Sequence, residues 1–278
     1  MTTLEPDCAH CVGLCCVALP FRPSHGFAFA KDAGEPCRHL DDTYRCSIHA
    51  SLRESGMGGC TTYECFGAGQ QVTQVVYAGA TWRGSPDGGA EMFAVFAVVQ
   101  RLHEMLVLLD QASALAPGPE LTRLRERVAR RTSGRPEEIL DTELDRLAVL
   151  VGEALRGVSR SIRGDGPTHP GQDLVGHDLR DTDLARADLR GAVLIAADLR
   201  DVVLDRTDLL GADLRDTYLS GADLSTALFV TQPQLNSARG SATTVLPPHL
   251  RRPLGWSLGG VVTEDPGLDT PIRPQNLP

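Results

Sequence analysis

Clustered positive charge, aromatic side chains and late cysteines are what this sequence lacks, and each absence excludes something. The 278 residues carry 27 Lys and Arg against 36 Asp and Glu, a net charge of −9. Direct nucleic-acid binding, which needs grouped cations to displace counterions, is not expected of that balance. Aromatic residues make up only 5%, so Ala, Leu, Val and other small side chains must fill the cores. No basic patch followed by an apolar run stands between Met1 and Cys8, so no secretory signal is expected. The most apolar stretch, residues 93–109, is interrupted by Gln100, Arg101, His103 and Glu104 and reads as too polar for a membrane span. A cytoplasmic location without a membrane partner follows as an expectation. Residues 66–278 contain no cysteine at all. In a reducing compartment, eight cysteines confined to the first 65 residues point to metal ligation rather than disulfides.

What the sequence has instead is a strict period. Leu174, Leu179, Leu184, Leu189, Leu194, Leu199, Leu204, Leu209, Leu214, Leu219 and Leu224 fall every five residues, and Phe229 takes the next slot. On an α-helix five steps rotate by about 500°, so these leucines would spiral around the axis. On a strand an odd period sends alternate leucines to opposite faces. A chain that turns a corner every five residues buries them together, with four sides closing a coil of about twenty residues. From Leu189 to Phe229, two places before each inward residue stand Ala187, Ala192, Ala197, Val202, Thr207, Ala212, Thr217, Ala222 and Ala227, small enough to point inward beside it. Asp173, Asp178, Asp183, Asp188, Asp198, Asp208, Asp213 and Asp223 precede a Leu, where a carboxylate can bond nearby backbone amides.

The segments Ala187-Asp188-Leu189-Arg190-Gly191, Ala212-Asp213-Leu214-Arg215-Asp216 and Ala222-Asp223-Leu224-Ser225-Thr226 resemble the pentapeptide-repeat proteins. That resemblance implies a right-handed quadrilateral β-helix over about sixty residues; Val193, Val203, Tyr218 and Leu228 replace the usual Asp or Asn and are expected to alter the surface only. About three coils at roughly 4.8 Å each give a tube only about 15 Å tall, whose open end needs a cover. Residues 231–240 read as that cap, with Thr231 as N-cap, Pro233 in the first turn and Gly240 ending a short helix.

At the N-terminus the pattern is Cys8-x-x-Cys11-x-x-x-Cys15-Cys16, then Cys37, Cys46, Cys60 and Cys65. Such short spacings let thiolates converge on one ion at about 2.3 Å each, and the donor set suits zinc or an iron–sulfur cluster equally. The stretch resembles a family of zinc- or iron-chelating domains named for a C-x-x-C…C-C motif. By that resemblance Cys8, Cys11, Cys15 and Cys16 match the first block, and Cys37, Cys46, Cys60 and Cys65 the later cysteines. Flagellin lysine methylases carry a similar head, which would imply an iron–sulfur centre, although Ser55-Gly56-Met57-Gly58-Gly59 stands where Arg-Pro is usual. His49 is a spare ligand candidate; His10 is expected to point away.

Between these regions lie three expected helices. Residues 93–109 have apolar positions 92, 95, 96, 99, 102, 106 and 109, with a start at Asp87 or Gly88. Residues 120–131 bury Leu121, Leu124 and Val128 and leave Arg123, Arg125, Arg127, Arg130 and Arg131 on a solvated face. Residues 136–158 carry Ile139, Leu140, Leu144, Leu147, Val151, Leu155 and Val158 as one stripe.

The chain therefore reads as multidomain: a Cys-rich metal-binding module at 1–70, a mainly helical region at 71–160, a linker at 161–171, the repeat β-helix with its cap at 172–240, and a Pro-rich tail at 241–278, extended or disordered from Pro247. No Gly-rich phosphate loop, Gly-x-Ser-x-Gly or His-Glu-x-x-His occurs, and no catalytic residue is assigned. The leading functional expectation is a protein-interaction scaffold or metal- or redox-responsive binding protein, with another protein as partner or a homodimer. One alternative is an iron–sulfur-dependent enzyme of methyl-transfer or redox chemistry. Another is a DNA mimic acting on a type II topoisomerase, since residues 171–230 hold twelve Asp against six Arg.

Overall fold

A corner after every Leu brings residue i over residue i+20, and the backbone keeps that register. Single parallel bridges join Thr168 to Asp188, Asp173 to Val193, Asp178 to Asp198, and so on down the stack to Asp208 and Leu228. The computed structural model describes residues 4–256, and the chain divides into two units, Met1–Arg156 and Gly157–Pro278. Among the described residues the bridges stay isolated and no strand forms. The expected β-helix is thus drawn as stacked coils without named strands. A five-residue side that must also turn a corner has room for one bridged pair.

Each corner is a turn in which the Leu carbonyl accepts the N–H three residues on, as in Leu189 to Ala192 at 3.0 Å. The residue two after the Leu has positive φ at most corners: 65° at Gly191, but also 54° at Ala196, 61° at Asp201 and 57° at Asp216. All eight Asp residues named above accept the N–H two residues on, for example Asp173 from Val175 at 3.2 Å and Asp223 from Ser225 at 2.9 Å. The leucines, Phe229 and the small residues are all buried. Two inward hydroxyls satisfy carbonyls of the coil above: Thr207 donates to Leu184 O at 2.6 Å and Thr217 to Leu194 O at 2.7 Å. Leu228, expected on the surface, is buried.

The coil begins earlier than expected. Residues 161–163 are helical, and Thr168 already bridges Asp188, so the expected linker at 161–171 is helix end and first coil side. Arg163 is buried, paired with Asp188 at 3.3 Å. At the other end the cap helix Gln232–Ser237 starts as expected: Gln234 Oε1 accepts from Thr231 N at 2.8 Å, while its Nε2 donates to Leu209 O and Ala212 O. Its end differs, because the helix stops at Ser237 and Gly240 instead lies against Trp256, whose ring carbons would be 2.4–2.5 Å from a Cβ there. The tail also differs up to residue 256: Val245 bridges Asp223, and Trp256 is buried in the coil's core cluster. The rest of the expected tail, 257–278, lies outside the described residues.

In the first unit the short helices α1 (Leu14–Ala18), α2 (Gly58–Thr62) and α3 (Ala68–Gln70) carry the cysteine segments, and α3 runs on as a wider turn, Gln71–Val76. The helical region expected in the middle is present. Helix α4 (Ala90–Leu115) follows an Asp87 carboxylate that accepts the Gly89 and Glu91 N–H groups and is held down to about 2, chiefly by the Glu91 bond. All seven expected stripe residues of α4 are buried. By length and composition α4 is apolar enough to cross a membrane, against the expectation from its polar residues, but half of that window is buried in the fold, the mark of a core helix. Helix α5 (Pro119–Ala129) buries Leu121 and Val128, and Arg125 pairs with Asp110. The expected third helix is two, α6 (Pro136–Leu140) and α7 (Leu144–Arg163), broken at 141–143. The break leaves Leu140 exposed while Ile139 stays buried. The cap helix is α8.

Candidate metal centre

The head is assembled by single hydrogen bonds between segments distant in sequence. Asp7 Oδ1 accepts the Ala9 N–H at 2.9 Å and opens the turn Cys8–His10. Gln70 and Gln74 reach back to that turn, donating to Glu5 O at 2.7 Å and His10 O at 3.0 Å. Arg45 donates to the carbonyls of Cys8 and Ala9, and Trp82 Nε1 donates to Val12 O at 2.8 Å. Together these tie the first cysteine loop to α3, the turn that follows it, Arg45 and Trp82.

All eight cysteines are free thiols, and they sort spatially into two groups. Cys8, Cys11, Cys15 and Cys65 line one small cavity with Gly69, Gln70 and Phe96. A Cβ on Gly69 would stand 2.6 Å from the Cys11 sulfur, so glycine is required where that sulfur meets the backbone. Cys37 is buried with Phe21 and Met57, and Cys16 and Cys60 pack against them. Cys46 is bridged to Leu40, which packs on the same cluster. The Cys60 thiol feels the charges of Cys16, Cys37 and Cys46. The adjacent Cys15 and Cys16 divide between the groups, with sulfurs 3.9 Å apart.

Backbone N–H groups point at four of the sulfurs. Cys11 accepts from Gly13 and Leu14, Cys65 from Gly67, Ala68 and Gly69, Cys37 from His39 at 3.5 Å, and Cys46 from Ile48. Burial pushes Cys11 up to about 11 and Cys60 to about 12. Cys16 is held below the ordinary thiol value, first by the hydrogen bond from Cys15 and then by the Lys31 ammonium, and Cys15 is raised in return. Lys31 is buried, donating to the carbonyls of Val17, Leu19 and Asp32 beside the Phe21 ring.

Among the described residues no three His, Cys, Asp or Glu side chains converge closely enough to grip one ion as they stand. The donor set nevertheless suits a thiophilic cation: dry surroundings oppose thiolate charge, and a metal supplies the missing opposite charge. His49 is exposed, and His10 pairs with Asp7 at 2.7 Å on the surface, so neither joins the thiols.

Sequence reasoning missed most of the residues that position the head, Gln70, Gln74 and Trp82 among them. Lys31 and Arg45 carry no periodic signal, and Gly69 stands alone. His103, read only as a polar interruption of α4, is wholly buried with Nδ1 donating to Phe66 O at 2.7 Å. It thereby fixes Phe66 at φ 51°, next to Cys65. The signal available for His103 was its place within the apolar stripe, beside Leu102 and Leu106.

With the geometry described, comparison with known proteins places the chain. The family model for pentapeptide repeats matches eight copies, over residues 171–201 and 193–229, so the coil at 171–229 is built of pentapeptide repeats. The uncharacterized protein YybG of Bacillus subtilis (strain 168) is 49% identical over 265 residues, covering 91% of this chain and 95% of that protein. The chain belongs to the same family as YybG, and that likeness extends well beyond the repeats. No solved structure matches.

Proposed function

We propose that this chain is a protein-binding scaffold with a metal-dependent head: the repeat coil, built as the right-handed quadrilateral β-helix of its class, offers faces to another protein, and the eight thiols hold zinc or an iron–sulfur centre. The observation that carries the reading is the gathering of eight free thiols in one module, with backbone N–H groups aimed at four of them. A neutral thiol is a weak acceptor, whereas a metal-bound thiolate is a good one. Bound metal stabilises a segment too irregular to bury a large core of its own. Such a head works in a reducing compartment, which the cytoplasm provides.

The coil's surface favours protein docking over DNA mimicry. Several of its acids are answered by arginines: Arg180 with Asp178 and Asp198, Arg200 with Asp198, Arg215 with Asp213, and Arg239 with Asp216. A DNA mimic needs an unbroken acidic rod, and these pairs interrupt it within a stack only a few base pairs long at about 3.4 Å per pair.

The test is anaerobic purification of the full chain followed by metal analysis and visible spectroscopy. At least one equivalent of zinc, or a brown protein with iron and sulfide, is expected, and chelation should loosen the head. A well-folded chain without metal that takes up none on reconstitution overturns the reading.

A further inference from the structure

The cysteine blocks in the sequence suggest that Cys8, Cys11, Cys15 and Cys16 work together. The fold groups them otherwise. Resting on the metal-dependent head proposed above, we infer that the eight thiols form two adjoining four-thiolate sites, Cys8/Cys11/Cys15/Cys65 and Cys16/Cys37/Cys46/Cys60, each for one tetrahedral thiophilic divalent ion such as zinc. Three observations carry this division.

The first is placement. One quartet lines a single cavity, and its fourth member comes from the far end of the cysteine region, brought there by the Gln70 and Gln74 bonds to the first loop. Of the other quartet, Cys16, Cys37 and Cys60 belong to the Phe21–Met57 cluster and Cys46 is tied to it through its bridge to Leu40, so three of its members come from 37–60. Cys15 and Cys16 are consecutive on α1, so their side chains leave a helix about 100° apart. Their sulfurs nevertheless stay 3.9 Å apart, so one dipeptide serves two centres that adjoin at this point. A structural zinc site uses four ligands, and eight thiols divide into two such sets without remainder.

The second is the N–H···S pattern, which occurs in both quartets rather than one. Cys11 and Cys65 accept backbone donors in the first, and Cys37 and Cys46 in the second. Each site thus has two sulfurs whose charge is partly met by the backbone.

The third is charge. Four thiolates on a divalent ion leave a net −2, expensive where water is excluded. Lys31 is a buried cation with three carbonyl acceptors, and its ammonium feels the charges of Cys37 and Cys16 together with those of Glu35 and Asp32. Burying an ammonium is costly, and this cation stands where it would offset part of the charge of an anionic centre. At the first site Gly69 allows the Cys11 sulfur to approach the backbone donors of 67–69.

The test is a Co(II) titration of the stripped full chain under anaerobic conditions, reading the thiolate-to-cobalt absorption. Parent protein should saturate at two equivalents. Cys65→Ser and Cys60→Ser should each saturate at one, and the double variant should bind none. If the early block formed one site, the double variant would keep one equivalent, which overturns the division. Loss of both ions in either single variant, with helical circular dichroism intact, also overturns it in favour of one shared centre. Cys8→Ser and Cys46→Ser repeat the test from turns rather than helices, should Cys60 or Cys65 variants fail to fold. A parent chain that binds no cobalt and no zinc sinks the metal-dependent head itself, an outcome distinct from one or two equivalents wrongly divided.

Discussion

Turn after turn, the coil repeats one set of interactions, whereas the head never uses the same one twice. In the coil each side has an inward Leu or Phe, and most add a small neighbour, an Asp holding the N–H two residues on, and a bond to the adjoining coil. In the head, Trp82 to Val12, Arg45 to Cys8 and His103 to Phe66 are each made once. A repeating stack shares its stability among nearest neighbours. An irregular module concentrates it at a few anchors.

Trp82→Ala should therefore give the largest single loss, about 4 kcal/mol for a large buried aromatic. Its indole N–H holds Val12 O, and its ring meets Tyr44 and Phe93. The measurement is thermal or urea unfolding of the first unit's helices, together with metal uptake by the head. A loss under about 1 kcal/mol, no more than an average substitution costs, would show that the head is not organised around this residue.

In the coil, Leu194→Ala, Leu204→Ala and Leu214→Ala should each cost about 3 kcal/mol, and the three values should agree within about 1 kcal/mol because the rungs are equivalent. All three leucines are fully or almost fully buried in one cluster. A single outlier would break the picture of interchangeable rungs. At the cap the interactions are unique again: Gly240→Val would push Trp256 off its seat, with an overpacking cost of about 1–3 kcal/mol and a red shift in tryptophan emission. Unchanged emission would mean that the ring is not held against Gly240.

These differences also explain what could be read in advance. The twenty-residue register, the buried leucines and small residues, and the Asp-to-amide bonds all follow from a period, and a period survives translation into structure because every copy votes for the same geometry. The helix stripe of α4 was legible for the same reason. What could not be read depended on single meetings: Trp256 returning to Gly240, Arg163 reaching Asp188, the break between α6 and α7, and Cys65 joining Cys8, Cys11 and Cys15 rather than Cys60. The left-handed corners had a signal that was passed over, in Gly171, Gly176, Gly191, Gly211 and Gly221, each two places after the Leu or aligned slot.

Those corners supply a gain rather than a loss. Ala196 and Asp216 occupy φ 54° and 57°, a region that costs an L-residue about 1–2 kcal/mol. Replacing Asp216 by Gly would also remove its pair with Arg239, so Ala196→Gly is the cleaner change. It should stabilise the coil by up to about 1 kcal/mol, the strain relieved being partly offset by the greater freedom of glycine in the unfolded chain. A destabilised Ala196→Gly would mean that the corner is not strained.

The smallest effect tests charge inside the coil. Asp208 is wholly buried, and burial pushes its carboxyl above the ordinary carboxylate value despite Arg190 nearby. With the folded state holding its proton more tightly than the unfolded state, stability falls as pH rises from the ordinary carboxylate range through the raised value. Asp208→Asn keeps an oxygen for the Leu210 N–H at 3.0 Å and removes the titration. The variant should match the parent chain in acid and equal or exceed it at pH 7, with a flatter profile between. Urea midpoints across that range measure this, and a variant clearly weaker at pH 7 would mean that the Arg190 pairing outweighs the burial of the charge. The more exposed Asp213–Arg215 pair one face along, whose Arg is two residues on rather than in the neighbouring coil, should show almost no such dependence, since solvent screens it to a few tenths of a kcal/mol.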